Sequence, residues 1–286
     1  MHPLILSFAY GRAFFAGIVL ALSANLLLLR FGVGLWRGLL TVLAATGMIF
    51  VVISATPAPL WLYVVWGLLS LAGLVLGNLP RTTQRARGWV ALAAVIAPAT
   101  LIFMEAPYHR TPRITVKPGQ TVYVLGDSLS AGMATHDRCW PAVLAELTSL
   151  RIVNYAQAGA TVQSAFAQAQ EITLSNTVVI LEIGGNDLLG GTDAETFRAR
   201  LDPLLGYLRA SGHVLVMFEL PLYPFRNAYG QAQRELAARY GVALLPKRQL
   251  TLVLGMTDGT QDGLHLSDAG HAALAKQMAE VIRPEK

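Results

Sequence analysis

The sequence is poor in charge and in cysteine, and each shortage excludes whole classes of protein. Only 14% of its 286 residues are charged, whereas 54% are hydrophobic and the mean hydropathy is +0.49. Soluble chains carry about 25% charged residues, so this composition excludes a disordered chain, a coiled coil and a fibrous repeat. The single cysteine, Cys139, excludes an intramolecular disulfide framework and a cysteine-rich zinc site.

Acidic residues are almost absent from the first 113 residues, where Glu105 stands against eight arginines. Residues 114–286 hold sixteen acidic and fourteen basic residues, so the formal net charge of +5 originates in the N-terminal part. Because this basic excess adjoins the apolar half of the chain, it favours a role in membrane topology over contact with phosphate. We therefore expect no nucleic-acid partner.

Long uncharged runs dominate the first hundred residues. A bilayer core about 30 Å thick needs about 17–25 apolar residues as a helix, and four runs have that length. They cover residues 13–29, 38–55, 60–79 and 88–104. A buried helix of a soluble core and, for the first run, a cleaved signal peptide are the alternatives. Four such runs so close together favour a transmembrane region of four spans over residues 1–105.

The distribution of arginine predicts how these spans are oriented. Five arginines lie in or beside the loops after the first and third runs: Arg30, Arg37, Arg81, Arg85 and Arg87. The turn at residues 56–59, after the second run, has none. Because Arg and Lys favour the cytoplasmic side of short loops, both termini are expected outside. We thus predict a multi-pass protein of the bacterial inner membrane whose C-terminal part lies in the periplasm.

After a linker at residues 106–120, the pattern changes to short apolar runs that alternate with amphipathic stretches. The runs predict five strands, at residues 122–126, 152–156, 178–184, 213–220 and 242–246. Helices are predicted between and after them, at residues 141–150, 195–210, 229–240 and 268–282. Such alternation indicates a parallel sheet covered on both faces. The expected fold is an all-α four-helix transmembrane bundle followed, at 121–286, by an α/β domain with a five-stranded parallel sheet.

Polar residues follow the predicted strands at the points where active residues gather in an open α/β sheet. Ser128 follows the first strand, Gly159 the second and Asn186 the third. Asp262 and His265 lie in a Gly-rich loop before the last helix, and an Asp beside a His suits a base with its orienting carboxylate. Each signal alone is also ordinary turn chemistry. The four together, in this order, are a much stronger signal than any one of them.

These segments resemble the SGNH (GDSL-type) hydrolase family, and most of all its compact lysophospholipase/thioesterase/arylesterase group. The resemblance rests on GDSLSAG at 126–132, GGND at 184–187 and DGLHLSDAGH at 262–271. It covers residues 121–283 and leaves the membrane half out. Ala160 stands where this group frequently has Asp. The resemblance implies a flavodoxin-like three-layer α/β/α sandwich.

The resemblance also implies a role for each candidate. Ser128 would be the nucleophile, His265 its base and then the acid for the leaving group, and Asp262 the carboxylate that orients the imidazole. The oxyanion hole would consist of the Ser128 and Gly159 backbone N–H groups and the Asn186 side-chain amide. No metal and no organic cofactor is expected.

A second Asp-x-x-His pair, Asp268 and His271, follows six residues later. Ser267 is a good N-cap, which predicts His271 in the first turn of the last helix and a structural role for Asp268 near the helix dipole. We therefore favour His265 as the base. Of the other acids near the motifs, Asp127 and Asp187 are predicted to brace their turns, and Glu182 and Glu219 receive no role.

The function that these features favour is a membrane-anchored serine ester hydrolase that acts through an acyl-enzyme at the extracytoplasmic face. Its expected substrates are lipid or lysophospholipid esters or acyl thioesters, because the domain stays close to a bilayer. The alternative is an O-acetyl esterase or acyltransferase of an envelope polysaccharide. A membrane scaffold that only binds is disfavoured by the intact Ser128, Asp262 and His265. The spans contain no Asp, Glu, Lys or Arg, so a transporter is not indicated.

Overall fold

A computed structural model of the protein describes residues 8, 11–31, 34–54, 56–79, 84–132 and 138–285. The chain divides into two compact units. The helical unit contains the N-terminal helices up to Pro107 together with Leu222–Asn227, and the C-terminal unit contains Tyr108–Pro221 and the chain from Ala228 onward. The predicted boundaries, 1–105 and 121–286, stay predictions.

Among its described residues, the helical unit contains four apolar helices, which are α1 (Arg12–Phe31), α2 (Gly34–Ile53), α3 (Leu60–Asn78) and α4 (Gln84–Glu105). Within the described residues, three of these are long and apolar enough to cross a membrane, and the apolar part of α3, Leu60–Leu76, is shorter. The expected four-helix N-terminal region is thus present. Ala55, predicted in the second span, and Arg81, predicted in the third loop, lie outside the described residues.

A close contact between α1 and α2 depends on glycine. A Cβ atom on Gly47 would lie 2.5 Å from the backbone nitrogen of Ala21 and 2.6 Å from the carbonyl oxygen of Gly17. Any side chain there would force the helices apart. Small residues that let two backbones approach closely are typical of helix pairs in membranes, where packing replaces the hydrophobic effect as the driving force.

The C-terminal unit is built on a five-stranded parallel sheet with the order β3-β2-β4-β5-β6. Its strands are β2 (Val122–Gly126), β3 (Ile152–Asn154), β4 (Val178–Glu182), β5 (Val214–Phe218) and β6 (Ala243–Leu245). Strand β4 is buried along its whole length, and β2 is too. All neighbouring strands pair in parallel, so the predicted sheet is confirmed.

Helices cover both faces of this sheet. The larger ones are α6 (Trp140–Thr148), α7 (Val162–Gln170), α9 (Ala194–Ala210), α10 (Asn227–Tyr240) and α12 (Asp268–Val281). Helices α6 and α12 pack together over one face, where Trp140 and Leu274 contact the cluster that contains Ile180. Residues alternate between the faces of a strand, so the buried neighbours Val179 and Leu181 face the opposite layer, in which α7 and α9 pack together.

Three short helices complete the unit: α5 (Ser128–Ala131), α8 (Gly185–Leu189) and α11 (Arg248–Leu254). The sequence did not predict these three or α7. Helices of four to seven residues show less than two turns of periodicity, which is too little for a hydrophobic pattern to be recognised. Helix α7 is longer, but its exposed face is rich in Gln and Ala and its apolar stripe is narrow.

The predicted linker at 106–120 contains regular structure that belongs to the C-terminal unit. Strand β1 (Ile114–Val116) pairs in parallel with β7 (Ile282–Pro284). Arg248 donates hydrogen bonds to the His109 carbonyl and the Thr111 hydroxyl, at 2.6 and 2.5 Å. These contacts fasten the start of the unit. Two three-residue strands so far apart in sequence cannot be recognised from local pattern.

Candidate active site

The turn after β2 presents Ser128. Asp127 caps the short helix α5, because its Oδ1 accepts a hydrogen bond from the Leu129 N–H at 3.0 Å. Ser128 is the first residue of α5 and is half-buried. Within the described part of the chain, its backbone N–H donates to no acceptor. The first N–H groups of a helix have no partner inside it, so this donor can serve a ligand.

Asn186 follows β4 and lies in α8. Its amide nitrogen donates to the Ala160 carbonyl at 2.9 Å and, over a longer distance of 3.3 Å, to Oδ2 of Asp127. The contact with Asp127 places the amide beside the residue that precedes Ser128. The structure therefore brings these two sequence-predicted residues to one edge of the sheet.

Gly159 lies in the exposed loop between β3 and α7, next to the carbonyl group of Ala160 that accepts from Asn186. In the described residues, the Gly159 N–H has no hydrogen-bond acceptor. Ala160 itself is buried, and the following Thr161 caps α7 through a capping box with Ser164. The segment is therefore held at both ends while its N–H group stays available.

Asp262 and His265 form a hydrogen-bonded pair in the loop before α12. Asp262 Oδ2 lies 2.6 Å from His265 Nδ1, and Asp262 Oδ1 accepts from the backbone N–H groups of Leu264 and His265. Gly263 has a φ of +90°, which this tight turn requires and which side chains disfavour. A bridge between Thr260 and Leu266 closes the loop. The imidazole is thus fixed before any substrate arrives.

Electrostatics connects this loop to the nucleophile turn. The hydrogen bonds from the His265 side chain and backbone hold the pKa of Asp262 well below its ordinary value, so Asp262 is ionised across the neutral range. Burial raises the pKa of Asp127 above its ordinary value, while the hydrogen bond from the Leu129 N–H and the charge of His265 oppose that rise. An imidazole that acts on Asp127 lies near Ser128. With Nδ1 engaged by Asp262, Nε2 is the nitrogen left for proton transfer.

The second pair has a different environment. His271 is buried, with 1% of its surface exposed, and its Nδ1 accepts from the Trp140 backbone N–H at 3.2 Å. Ser267 is the N-cap of α12, as predicted, and accepts from the Gly270 N–H. Asp268 lies exposed in the first turn. These contacts are structural.

Sequence reasoning missed a buried polar group beneath Ser128. Glu182 Oε2 accepts from the Ser130 hydroxyl at 3.0 Å, and the Ser130 oxygen accepts from Trp140 Nε1 at 3.1 Å. The signal for this group was an acidic residue at the end of an otherwise apolar strand. Glu219, the other acid without a predicted role, forms a buried ion pair with Arg234 at 2.7 Å.

A comparison with protein families identifies the fold and the chemistry. The model of the GDSL-like lipase/acylhydrolase family matches residues 124–273, which is more than half of the chain. The chain belongs to this family. The predicted recognition of an SGNH (GDSL-type) hydrolase and the predicted enzyme class, serine ester hydrolase, are thereby confirmed.

Individual GDSL-like acylhydrolases are similar over a little more than half of this chain. An arylesterase of Vibrio mimicus is 25% identical over 179 residues, which is 57% of this chain and 88% of the relative. Esterase TesA of Pseudomonas aeruginosa is 28% identical over 171 residues, or 55% of this chain and 82% of the relative. Psychrotrophic esterase EstA from Pseudoalteromonas sp., whose structure is known, is 21% identical to this chain. The match covers 57% of this chain and 96% of EstA, and the TM-score is 0.50, which is a likeness of fold alone.

Proposed function

We propose that Ser128, His265 and Asp262 are the catalytic triad of a membrane-anchored ester hydrolase. The observation that carries this proposal is the Asp262–His265 pair, hydrogen-bonded at 2.6 Å in the loop before α12. A serine hydroxyl is too weak a nucleophile at neutral pH without such a base. The esterase names of the two relatives support the same reaction.

The proposed reaction has two acyl transfers. Ser128 Oγ attacks the acyl carbonyl while His265 takes the hydroxyl proton. The charge that develops on the carbonyl oxygen is stabilised by the Ser128 and Gly159 N–H groups and by the Asn186 amide, one hydrogen of which would leave its long 3.3 Å contact with Asp127. The C–O or C–S bond then breaks, and the proton on His265 passes to the leaving alcohol or thiol. Water, deprotonated by His265, attacks the seryl ester and releases the carboxylic acid and free Ser128.

Membrane anchoring is supported by the apolar surface of the helical unit. Leu35, Trp36 and Leu60 have 92%, 66% and 73% of their surface exposed, and all four helices carry exposed apolar side chains. Soluble proteins rarely leave such an extended apolar surface in water, so we assign it to lipid contact. The C-terminal unit begins at Tyr108, three residues after α4 ends at Glu105. A substrate that resides in the bilayer, such as a lipid ester, a lysophospholipid or an acyl thioester, fits this attachment.

An ester series tests the proposed substrate class. The full-length protein in lipid nanodiscs is expected to hydrolyse octanoyl and palmitoyl esters with a higher kcat/KM than acetyl esters, because a site beside a bilayer serves long acyl chains. Lysophospholipid and acyl thioester hydrolysis would be measured beside them. The Ser128→Ala variant in the same nanodiscs is the control for spontaneous hydrolysis.

The opposite preference would support the alternative function. Activity confined to acetyl esters, with acetyl transfer to or from an envelope polysaccharide, would contradict a lipid substrate while leaving the triad intact. Activity that is equal in wild type and Ser128→Ala would contradict the triad itself.

The proposed location has both termini in the periplasm. It follows from the five arginines in or beside the first and third loops, because Arg favours the cytoplasmic side of short loops. Alkaline phosphatase fused after Lys286 is expected to be active, since that reporter folds only outside the cytoplasm. A reporter that folds only in the cytoplasm, fused at the same point, is the matched control. A signal from the cytoplasmic reporter alone would reverse the orientation.

A further inference from the structure

Two carboxyl groups meet beneath the nucleophile turn. Glu182 ends β4 and Asp127 directly follows β2, and the register of these strands pairs Gly126 with Glu182. The Asp127 N–H donates to the Glu182 carbonyl at 3.2 Å, so the two residues are fixed as neighbours. Glu182 is 2% exposed and Asp127 is 4% exposed. Water therefore has little access to either group.

A hydrogen bond from the Ser130 hydroxyl accounts for one oxygen of the Glu182 carboxyl group. An indole N–H can only donate, so Ser130 Oγ accepts from Trp140 and directs its own hydrogen to Glu182 Oε2. The Asp127 carboxyl group is the neighbouring acid, held beside Glu182 by the backbone hydrogen bond and buried with it. Two ionised carboxylates repel each other at such a site and are acceptors only, so a hydrogen bond between them forms only if one of the two carries a proton.

The surroundings decide which group holds the proton. Burial raises the pKa of Asp127, but the hydrogen bonds that it receives from the Leu129 N–H and the Asn186 amide, together with nearby His265, favour its ionised form. Burial raises the pKa of Glu182 well above its ordinary value, and the charge of Asp127 raises it further. Other titratable groups near the pair are Asp187, which raises the pKa of Asp127, and His271, which accepts from the Trp140 N–H.

We propose that Glu182 is a neutral carboxylic acid that donates a hydrogen bond to the Asp127 carboxylate, and that this shared proton positions the Ser128 turn and the Asn186 amide. Glu182 is then a positioning residue, because it acts through Asp127 and touches no substrate. The proposal deepens the proposed function, since it rests on Ser128 as the nucleophile and Asn186 as an oxyanion donor.

A pH dependence follows from this arrangement. When the pH rises through the raised pKa of Glu182, two negative charges meet in a dry site, and the turn that Asp127 holds must rearrange. Activity should therefore fall on the alkaline side. Stability should fall as well: the folded state keeps a proton that the unfolded chain loses above the ordinary pKa of Glu. The free energy of unfolding thus decreases with rising pH between those two pKa values.

The Glu182→Gln variant tests the proton directly. Its amide nitrogen can donate to Asp127 while its oxygen accepts from Ser130, so it imitates the protonated acid without being able to ionise. Infrared spectra of the full-length protein would be recorded in a maltoside detergent, which has no ester carbonyl of its own. A band of a protonated carboxylic acid is expected in the wild type and absent in Glu182→Gln. Asp127→Asn removes the charge that raises the pKa of Glu182 further, so the same band should disappear at a lower pH than in the wild type.

Activity measurements distinguish a positioning role of Glu182 from a purely structural one. At neutral pH, Glu182→Gln should keep kcat within about tenfold of the wild type and lose the alkaline fall of the pH profile. Glu182→Leu has no donor and should lower kcat by roughly 10²–10³ with little change in KM, as expected when an oxyanion donor is misplaced. A melting curve for each variant distinguishes loss of fold from loss of positioning.

The matched control is Glu219→Gln, which changes a buried glutamate that forms an ion pair with Arg234. It should leave the carboxylic acid band unchanged. A wild-type spectrum without a Glu182-dependent band would overturn the proposal. So would a Glu182→Leu variant that folds and keeps the kcat and pH profile of the wild type. If Ser128→Ala stays active, the proposed function fails, while the infrared result still decides the state of Glu182.

Discussion

Replacing Ser128 with alanine is expected to abolish labelling by a fluorophosphonate probe and to lower kcat by on the order of 10⁵–10⁶, the effect of removing the nucleophile of a serine hydrolase. Ser128 is half-buried at the start of α5, and its backbone N–H donates to no acceptor among the described residues. The residual rate would come from the oxyanion donors and binding alone. Gel fluorescence after probe treatment and initial rates on a soluble ester measure the two effects.

Two other serines serve as references for this result. Ser175→Ala changes an exposed serine outside the site and should label and react like the wild type. Ser130 lies two residues from Ser128, but it is fully buried and hydrogen-bonded to Glu182, so it should not react with the probe. Labelling that persists in Ser128→Ala, on Ser130 or on any other residue, would contradict the assignment.

The fold could be predicted largely because its strands are buried on both faces. Continuous apolar runs such as Val122–Gly126 and Val178–Glu182 indicate central parallel strands, and Leu201, Leu205 and Leu208 on one face indicate α9. Helices shorter than two turns leave no such pattern in the sequence. Strands β1 and β7 exist because the chain ends of the unit meet in space, which no local pattern encodes.

The candidate site also contains residues that could be predicted from the sequence and one that could not. Ser128, Asn186 and His265 are side chains with chemistry of their own, so their position after strands and before the last helix, together with the resemblance to GDSL-type hydrolases, led to their proposal. The role of Glu182 depends on contacts with Ser130 and Asp127, which are 52 and 55 residues away in the chain. In the sequence, an acid in an apolar strand has no recognisable partner. The register of β2 and β4 places Asp127 beside Glu182.

The two Asp-x-x-His pairs should respond to substitution in opposite ways. His265→Ala is expected to lower kcat by several orders of magnitude, because Ser128 then loses the base that takes its proton. His271→Ala should keep kcat within about tenfold but lower the melting temperature. It leaves the Trp140 N–H without an acceptor and opens space among α6 and α12, at a cost of about 1–3 kcal/mol for the unpaired group.

The acidic partners extend the same contrast. Asp262→Asn should lower kcat by on the order of 10⁴, because an amide presents the wrong hydrogen-bonding group to Nδ1 and no longer stabilises the charged imidazole. Asp268→Asn should change stability by about 0.3–1 kcal/mol through the dipole of α12 and leave kcat almost unchanged. Circular dichroism of each variant ensures that lost fold is not taken for lost chemistry. If Asp268 and His271 prove essential while Asp262 and His265 are dispensable, the base lies in α12 and the proposed triad is wrong.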